Sequence, residues 1–206
     1  ERSYVCSKYD ISTQWNEQVE AQLAALDESS IEAKKGERDD FINTPFVTID
    51  AETTVDMDDA LYAEENDQGW RLSVAIADPC ALIETGSAIE KSALLRATSI
   101  YFPGQQVPML PEKLAGDLCS LVAGKERLAK VITIQVMPDG ALGEYQLANA
   151  VIKSRHKMSY SEVSAYLSND ESAGDRDQID ETVKSSLVCL QAVSSALLKW
   201  REEHLL

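Results

Sequence analysis

FVTIDAETTVDMDDAL, residues 46–61, joins two apolar runs through an acidic connection. The β-branched run at residues 47–49 predicts a buried strand, and residues 60–63 begin a second apolar segment. The connection contributes four carboxylates, Asp50, Asp56, Asp58 and Asp59. Carboxylates gathered this closely repel one another, so their pKa values rise or the fold is destabilised unless a cation joins them.

Three interpretations of this acidic stretch are open. A solvated acidic loop is the ordinary one, but such loops are not usually held between a strand and a second apolar segment. An EF-hand loop is disfavoured, because no glycine lies in mid-loop and no glutamate closes it at the twelfth position. Hard carboxylate oxygens at this density suit Mg²⁺ or Mn²⁺. We therefore favour a catalytic metal site that activates water and neutralises a phosphoryl group.

Composition limits the class of protein. The 206 residues are enough for one domain with a core, and no apolar run reaches the length of a membrane span. The four cysteines are scattered, which predicts reduced thiols in the cytoplasm: Cys6, Cys80, Cys119 and Cys189. The net charge of −16 argues against nucleic-acid binding by the chain's general surface, since phosphate contacts need basic groups.

Residues 1–45 are predicted to be a helical lead-in followed by a polar linker. Apolar residues spaced for a helix run from residue 12 to 26, with Ser12 or Thr13 as the cap. Residues 27–40 are polar and charged, which predicts a surface linker. Residues 46–206 are predicted to form one α+β domain, a mixed sheet with flanking helices.

Within that domain, strand and helix patterns alternate. Strands are predicted over residues 61–64, 70–77, 129–136 and 142–152, with turns at 66–69 and 138–140. Helices are predicted over 87–98, 112–122, from Ser159 or Ser161 to 167, and over 179–200, with a polar loop at 168–177. The buried faces are expected to include Ile89, Leu94 and Leu95 in the first of these helices, and Val183, Leu187, Leu190 and Leu197 in the last.

Several motifs, in order, resemble the ribonuclease II (RNB) family of processive 3′-to-5′ exoribonucleases. TIDAETTVDMDDAL resembles the acidic signature of that family, and the likeness continues through VAIADP and RATSIYFPGQQVPMLPEKLAGDLCSL, residues 74–79 and 96–121. The resemblance implies Mg²⁺-dependent release of nucleoside 5′-monophosphates from single-stranded RNA, as in mRNA decay. It also implies that Asp50 and Asp59 bind metal, that Asp56 supports the metal site, and that Asp58 acts in hydrolysis.

Possible RNA contacts lie outside the acidic stretch. Tyr101 matches the family tyrosine that stacks near the 3′-terminal nucleotide, although a tyrosine that plugs the base of its loop is an equal alternative. Arg96 falls in a family-like stretch and would contact phosphate or pair with an acid such as Glu90. Lys153, Arg155 and Lys157 alternate along one segment, as a phosphate track or as a solvated strand end.

The resemblance also implies partners that the 206 residues do not contain. Family members carry a second half of the catalytic domain, with an arginine-rich motif, as well as OB-type and S1-type RNA-binding domains. The chain, whose first residue is Glu, is therefore expected to be the amino-terminal part of an RNB catalytic domain. The alternative is a non-catalytic fragment that binds a metal or a partner protein without turnover.

Overall fold

A seven-stranded mixed sheet forms the centre of the chain in this computed structural model, which describes residues 2–168 and 179–204. The strands are β1 (Asp39–Phe41), β2 (Val47–Asp50), β3 (Asp59–Asn66), β4 (Gly69–Ala77), β5 (Ile100–Phe102), β6 (Gln105–Val107), β7 (Glu126–Val136), β8 (Leu142–Lys153) and β9 (His156–Ser159). The sheet order is β1-β8-β7-β4-β3-β2-β9, and β5 and β6 form a separate hairpin.

Helices flank the sheet, which confirms the predicted α+β class. They are α1 (Arg2–Lys8), α2 (Glu17–Ala24), α3 (Glu28–Lys35), α4 (Ala88–Arg96), α5 (Tyr160–Leu167) and α6 (Glu181–His204), with a 3₁₀ turn (Pro79–Ala81) and a π-helical turn (Lys113–Leu118). Of the predicted polar loop at 168–177, all but Ser168 lies outside the described residues. Among the described residues, no helix combines the length and apolar character needed to cross a bilayer.

Local patterns predicted the long hairpins well. β3 and β4 pair antiparallel through the turn before Gly69, and β7 and β8 pair through the predicted turn at residues 138–140. Gly140 has φ +87°, and a Cβ there would collide with the backbone of Ala196 in α6. Only glycine tolerates both the positive φ and this close approach. The turn therefore fixes where α6 lies against the sheet.

The predicted face of α6 is confirmed as a packing face. Val183 and Leu187 are buried in one cluster with Val47 of β2 and Met158 of β9. Ser186, on the same helix, is 1% exposed, and its Oγ accepts a hydrogen bond from Ala63 N at 3.0 Å. α6 is thereby attached to the sheet by apolar contacts and by one buried polar contact.

The polar segment at residues 27–40 is not the linker predicted from its composition. Asp27 caps α3, Ile31 is 1% exposed in the core, and β1 pairs in parallel with the end of β8. One buried isoleucine, an N-cap and distant strand partners order a segment whose own hydropathy gives little sign of burial. The predicted division of the chain at residue 45 remains a prediction.

The start of α2 and the face of α4 also differ from prediction. α2 begins at Glu17, because Asn16 rather than Ser12 or Thr13 caps it, accepting from Val19 N. In α4, Ile89 and Ala93 are buried, whereas Leu94 and Leu95 are 72% and 89% exposed. Residues four apart lie on one side of a helix, so the Ile89–Ala93 side excludes the two leucines.

Candidate active site

Strand pairing brings two of the aspartates to the same edge of the sheet. Asp50 ends β2 and Asp59 begins β3. β2 and β3 run antiparallel, with Val47 opposite Leu61, so the end of one strand lies beside the start of the other. The apolar runs that predicted these strands therefore also place Asp50 and Asp59 as neighbours.

The connection between those strands, residues 51–58, is fixed by contacts from distant parts of the chain. We call it the acidic loop. Ser120 Oγ accepts a hydrogen bond from Met57 N at 3.0 Å and donates one to Val55 O at 2.9 Å. Met57 is 4% exposed, whereas Asp56 is half-buried and Asp58 is exposed. The loop is thus anchored through Met57 while Asp58 stays open to solvent.

Lys157 supports the other side of the acidic loop. It lies on β9, which runs parallel to β2 with Lys157 opposite Thr48. Its Nζ donates to the carbonyl oxygens of Glu52, at 3.0 Å, and of Thr54. The structure therefore gives this predicted RNA-contact residue an intramolecular role, and its contact with RNA remains a prediction.

Charge repulsion couples the four aspartates, which we call the quartet: Asp50, Asp56, Asp58 and Asp59. Desolvation raises the pKa of Asp50 above its ordinary value, and repulsion from Asp59 and Asp56 adds to the rise, while Lys157 opposes it. Partial desolvation also raises the pKa of Asp58, followed by repulsion from Asp56, Asp59 and Asp50. Each member of the quartet thus lies within electrostatic reach of another, as the sequence predicts.

The quartet has the donor chemistry of a magnesium or manganese site but is not drawn together around one point. Its oxygens are hard, anionic and close enough to repel, which fits a divalent cation. Across residues 2–168 and 179–204, no three His, Cys, Asp or Glu side chains already converge as a ligand set. Binding a cation would therefore require the aspartate side chains to turn towards it.

The predicted RNA-contact residues divide into one open side chain and several engaged ones. Tyr101 on β5 is 70% exposed, which does not suit a ring that plugs its loop. Arg96 instead lies over the Trp15 ring at 3.7 Å and donates to Pro108 O and Gln14 O. It does not pair with Glu90, whose carboxylate accepts from Gly86 N. The assignment of Tyr101 and Arg96 to RNA remains a prediction.

The basic segment after β8 does not form one continuous strand. Lys153 ends β8 opposite Glu126, whereas Lys157 belongs to β9 beside the acidic loop. Between them, Arg155 Nη2 donates to Asn43 O at 3.5 Å. The chain leaves strand geometry at residues 154–155, so the predicted alternation along one extended segment is interrupted. A phosphate track formed by these three residues remains a prediction.

Sequence reasoning missed the buried polar groups that support the site. Ser120 and Arg127 are 0% and 1% exposed, and Arg38 forms a 2.7 Å ion pair with the buried Asp78. Asp78 follows β4, next to Ala77, whose N–H donates to Asp58 O. Asp78 and Ser120 do lie inside the family-like motifs, and this was the one signal available. Their partners are far away in sequence.

The Arg38–Asp78 pair predicts a large stability effect. Among the described residues, Arg38→Met would leave the carboxylate of Asp78, 4% exposed, with Lys130 at 3.7 Å as its one remaining charged partner. We expect the free energy of unfolding to fall by about 3–5 kcal/mol, because a buried charge would lose its partner. Arg71→Met is the matched control, since its 3.2 Å pair with Glu64 is exposed and contributes about 0–1 kcal/mol. Urea denaturation that gave equal losses for both variants would contradict the prediction.

Comparison with known protein families identifies the family to which this fold and this acidic site belong. The model of the RNB domain matches residues 38–205 of the chain. The chain belongs to the RNB family. The resemblance carried by the acidic, VAIADP and proline-rich motifs is therefore confirmed, and the match includes the whole acidic quartet.

Curated RNB relatives are named for ribonuclease activity and are much longer. Ribonuclease R of Vibrio parahaemolyticus serotype O3:K6 is 40% identical over 197 residues, which are 95% of this chain and 23% of that protein. Exoribonuclease 2 of Vibrio vulnificus is 42% identical over 170 residues, covering 82% of this chain and 25% of that protein. The chain thus spans about a quarter of the length of these relatives.

Solved structures share the same fold. Mycoplasma genitalium RNase R in complex with double-stranded RNA has a TM-score of 0.89 and 32% identity, covering 97% of this chain and 35% of that one. Yeast Ssd1, described as a pseudonuclease, has a TM-score of 0.62 and 20% identity, covering 83% of this chain and 20% of that one. The second likeness concerns the fold alone, so the fold by itself does not establish hydrolysis.

Proposed function

We propose that this RNB chain supplies the metal-binding part of the active site of a 3′-to-5′ exoribonuclease. The observation that carries the proposal is the quartet itself: strand pairing places Asp50 and Asp59 at one sheet edge, and the acidic loop adds Asp56 and Asp58, so that repulsion and desolvation raise the pKa values of Asp50 and Asp58. The names of the relatives, Ribonuclease R and Exoribonuclease 2, support the reaction class.

The substrate class is single-stranded RNA, and the products are nucleoside 5′-monophosphates. A solved relative with 33% identity and a TM-score of 0.86 is described in complex with ribose-methylated single-stranded RNA. RNA degradation, including mRNA decay, is the corresponding process. All four cysteines are free thiols, which supports a cytoplasmic setting. The OB-type, S1-type and second catalytic segments implied by the family remain part of this proposal.

Each aspartate has an assigned role. Asp50 and Asp59, adjacent across β2 and β3, would hold Mg²⁺ or Mn²⁺, and the half-buried Asp56 would support them. The bound ion supplies a Lewis acid that neutralises phosphoryl charge. Asp58 is assigned to the hydrolytic step because the family resemblance implies that role, and its exposed side chain is open to water. Lys157 and Ser120 hold the acidic loop in place during the reaction.

The polarity of cleavage tests the proposal. The full-length protein that contains this chain is incubated with single-stranded RNA labelled at either end, in millimolar Mg²⁺. A 3′-to-5′ enzyme releases a 3′ label at once as a mononucleotide, whereas a 5′ label stays in a shrinking ladder. Chelation by EDTA is expected to stop both. Internal fragments, or activity that persists in EDTA, would rule out the proposed reaction.

A second candidate is a non-catalytic module, and two observations favour it for the 206-residue chain alone. The net charge is −16, which opposes contact with RNA phosphates. The guanidinium of Arg96 and the ammonium of Lys157 are also engaged within the chain. Metal binding without turnover is the behaviour that distinguishes this candidate.

Tyr101 is expected to set the length of the shortest product rather than the rate. A stacked ring contributes about 1–3 kcal/mol per base, so Tyr101→Ala in the full-length protein would release longer end products. Tyr145→Ala is the matched control, because Tyr145 is 64% exposed on β8, outside the family motif that contains Tyr101. End products are compared on a denaturing gel. An unchanged ladder for Tyr101→Ala would refute the stacking role.

A further inference from the structure

Ser120 is a buried serine that touches the acidic loop on one side and a buried arginine on the other. It is 0% exposed and follows the π-helical turn Lys113–Leu118. Its hydroxyl contacts the acidic loop, and its carbonyl oxygen accepts a hydrogen bond from Arg127 Nε at 3.2 Å. Ser120 therefore links the acidic loop to Arg127 on strand β7 of the sheet.

The contacts of Ser120 fix the backbone on both sides of Asp56. Met57 N donates to Ser120 Oγ, and Ser120 Oγ donates to Val55 O. Leu121 N adds a third bond, to Met57 O at 2.9 Å. Met57 lies between Asp56 and Asp58, so these three hydrogen bonds fix the backbone positions from which both aspartate side chains extend.

Arg127 donates a hydrogen bond to the carbonyl oxygen of Ser120, and all three nitrogens of its guanidinium donate hydrogen bonds. Its side chain is 1% exposed, and it forms a two-pronged pair with Glu28 of α3, with N–O distances of 3.0 and 3.1 Å. Nε also donates to Asp117 O, and Nη1 to Glu126 O. A planar guanidinium with its donors in use has little freedom to move. Ser120 is therefore held by a rigid partner.

We propose that Ser120 is a positioning residue for the divalent-cation site, supported by Arg127. The proposal rests on the proposed function, since it assumes that the quartet binds a cation. The four carboxylates repel one another and must come together to bind the cation. A backbone that is already fixed lowers the conformational entropy lost in that step. Groups that hold ligands in place contribute strongly to metal affinity without touching the ion.

The test compares two buried serines in the 206-residue chain. Ser120→Ala removes the hydroxyl that holds Met57 N. Ser186→Ala removes the matched hydroxyl, which accepts from Ala63 N, also at 3.0 Å, between α6 and β3. Free Mn²⁺ is measured by electron paramagnetic resonance during titration in 0.15 M KCl, and urea denaturation reports the stability of each variant. We expect Ser120→Ala to weaken Mn²⁺ binding about 10- to 100-fold.

Ser186→Ala is expected to lose stability to a similar extent and to keep the wild-type Mn²⁺ affinity, because it does not touch the acidic loop. Wild-type affinity in Ser120→Ala would overturn the positioning role while leaving the metal site intact. Failure of the wild-type chain itself to bind Mn²⁺ would overturn the proposed metal site and this inference together. If Ser120→Ala does not fold, Arg127→Lys perturbs Ser120 from its other side, and unchanged affinity there would refute the proposal.

Discussion

Replacing Asp58 by Asn in the full-length protein that contains this chain is expected to lower the rate of RNA hydrolysis about 10³-fold, with RNA bound as tightly as before or more tightly. Loss of one preorganised group in an active site typically costs about 10²–10³ in rate. Asp58 is exposed and is repelled by Asp56, Asp59 and Asp50. The substitution therefore removes a working carboxylate and also reduces the repulsion of phosphate.

Asp67→Asn provides the matched control for the change in charge. Asp67 is an exposed residue of the β3–β4 turn, outside the acidic loop. Its substitution changes the net charge by the same amount and is expected to leave both the rate and the affinity at wild-type values. Single-turnover hydrolysis and fluorescence anisotropy with labelled RNA measure the two quantities. Loss of RNA binding in Asp58→Asn, along with activity, would assign the residue to structure instead.

The 206-residue chain alone is expected to bind Mg²⁺ weakly and to degrade RNA several orders of magnitude more slowly than the full-length protein. Mg²⁺ keeps several waters and relies on substrate phosphates to complete its shell, so a site that holds phosphate poorly also holds the ion poorly. The chain's net charge of −16 repels RNA within the Debye length of about 10 Å at 0.1 M salt. Electrostatic positioning is usually the largest catalytic contribution.

Degradation of poly(A) under single-turnover conditions, at low salt and with millimolar Mg²⁺, measures this difference. The full-length protein is the positive control, and its Asp58→Asn variant sets the background. A rate for the chain near that of the full-length protein would show that the residues described here suffice for catalysis. It would also remove the need for the phosphate-binding segment that the family resemblance implies.

The sequence predicted those parts of the fold that short-range patterns determine. β3 and β4 alternate around a polar turn, and residues 138–140 carry the turn chemistry of a hairpin. Val183 and Leu187 were identified as buried from helical spacing alone. In each case the residues that decide the structure lie within a few positions of one another, so periodicity was sufficient.

Elements that depend on distant partners escaped prediction. α3 is polar in composition, yet Glu28 reaches the buried Arg127, 99 residues further along the chain. The direction of α4's buried side is set by the surface it meets, so Leu94 and Leu95 were wrongly assigned to the core. Hydropathy records how apolar a side chain is, but not which neighbour will be available to cover it.

In the candidate site, too, the local features were predicted from the sequence and the long-range contacts were not. The four aspartates are local in sequence and were found together, and strand pairing then explained why Asp50 lies near Asp59. The Ser120 contact could not be inferred, because 63 residues separate it from Met57. Lys157 was predicted as a possible RNA contact or as part of a solvated strand end; the structure adds its donation to carbonyls of the acidic loop, which the sequence did not predict. A lysine's charge is visible in a sequence, but the group it binds is not.

The most direct measurement of the central claim, that the quartet binds a divalent cation, is a ¹⁵N NMR titration of the 206-residue chain with Mg²⁺ in 0.15 M KCl. A cation held by the quartet is expected to shift the amide signals of residues 50–59 in a saturable way, and Asp50→Asn combined with Asp59→Asn is expected to abolish those shifts. Shifts spread over the acidic surface without saturation, or unchanged in the double variant, would contradict it.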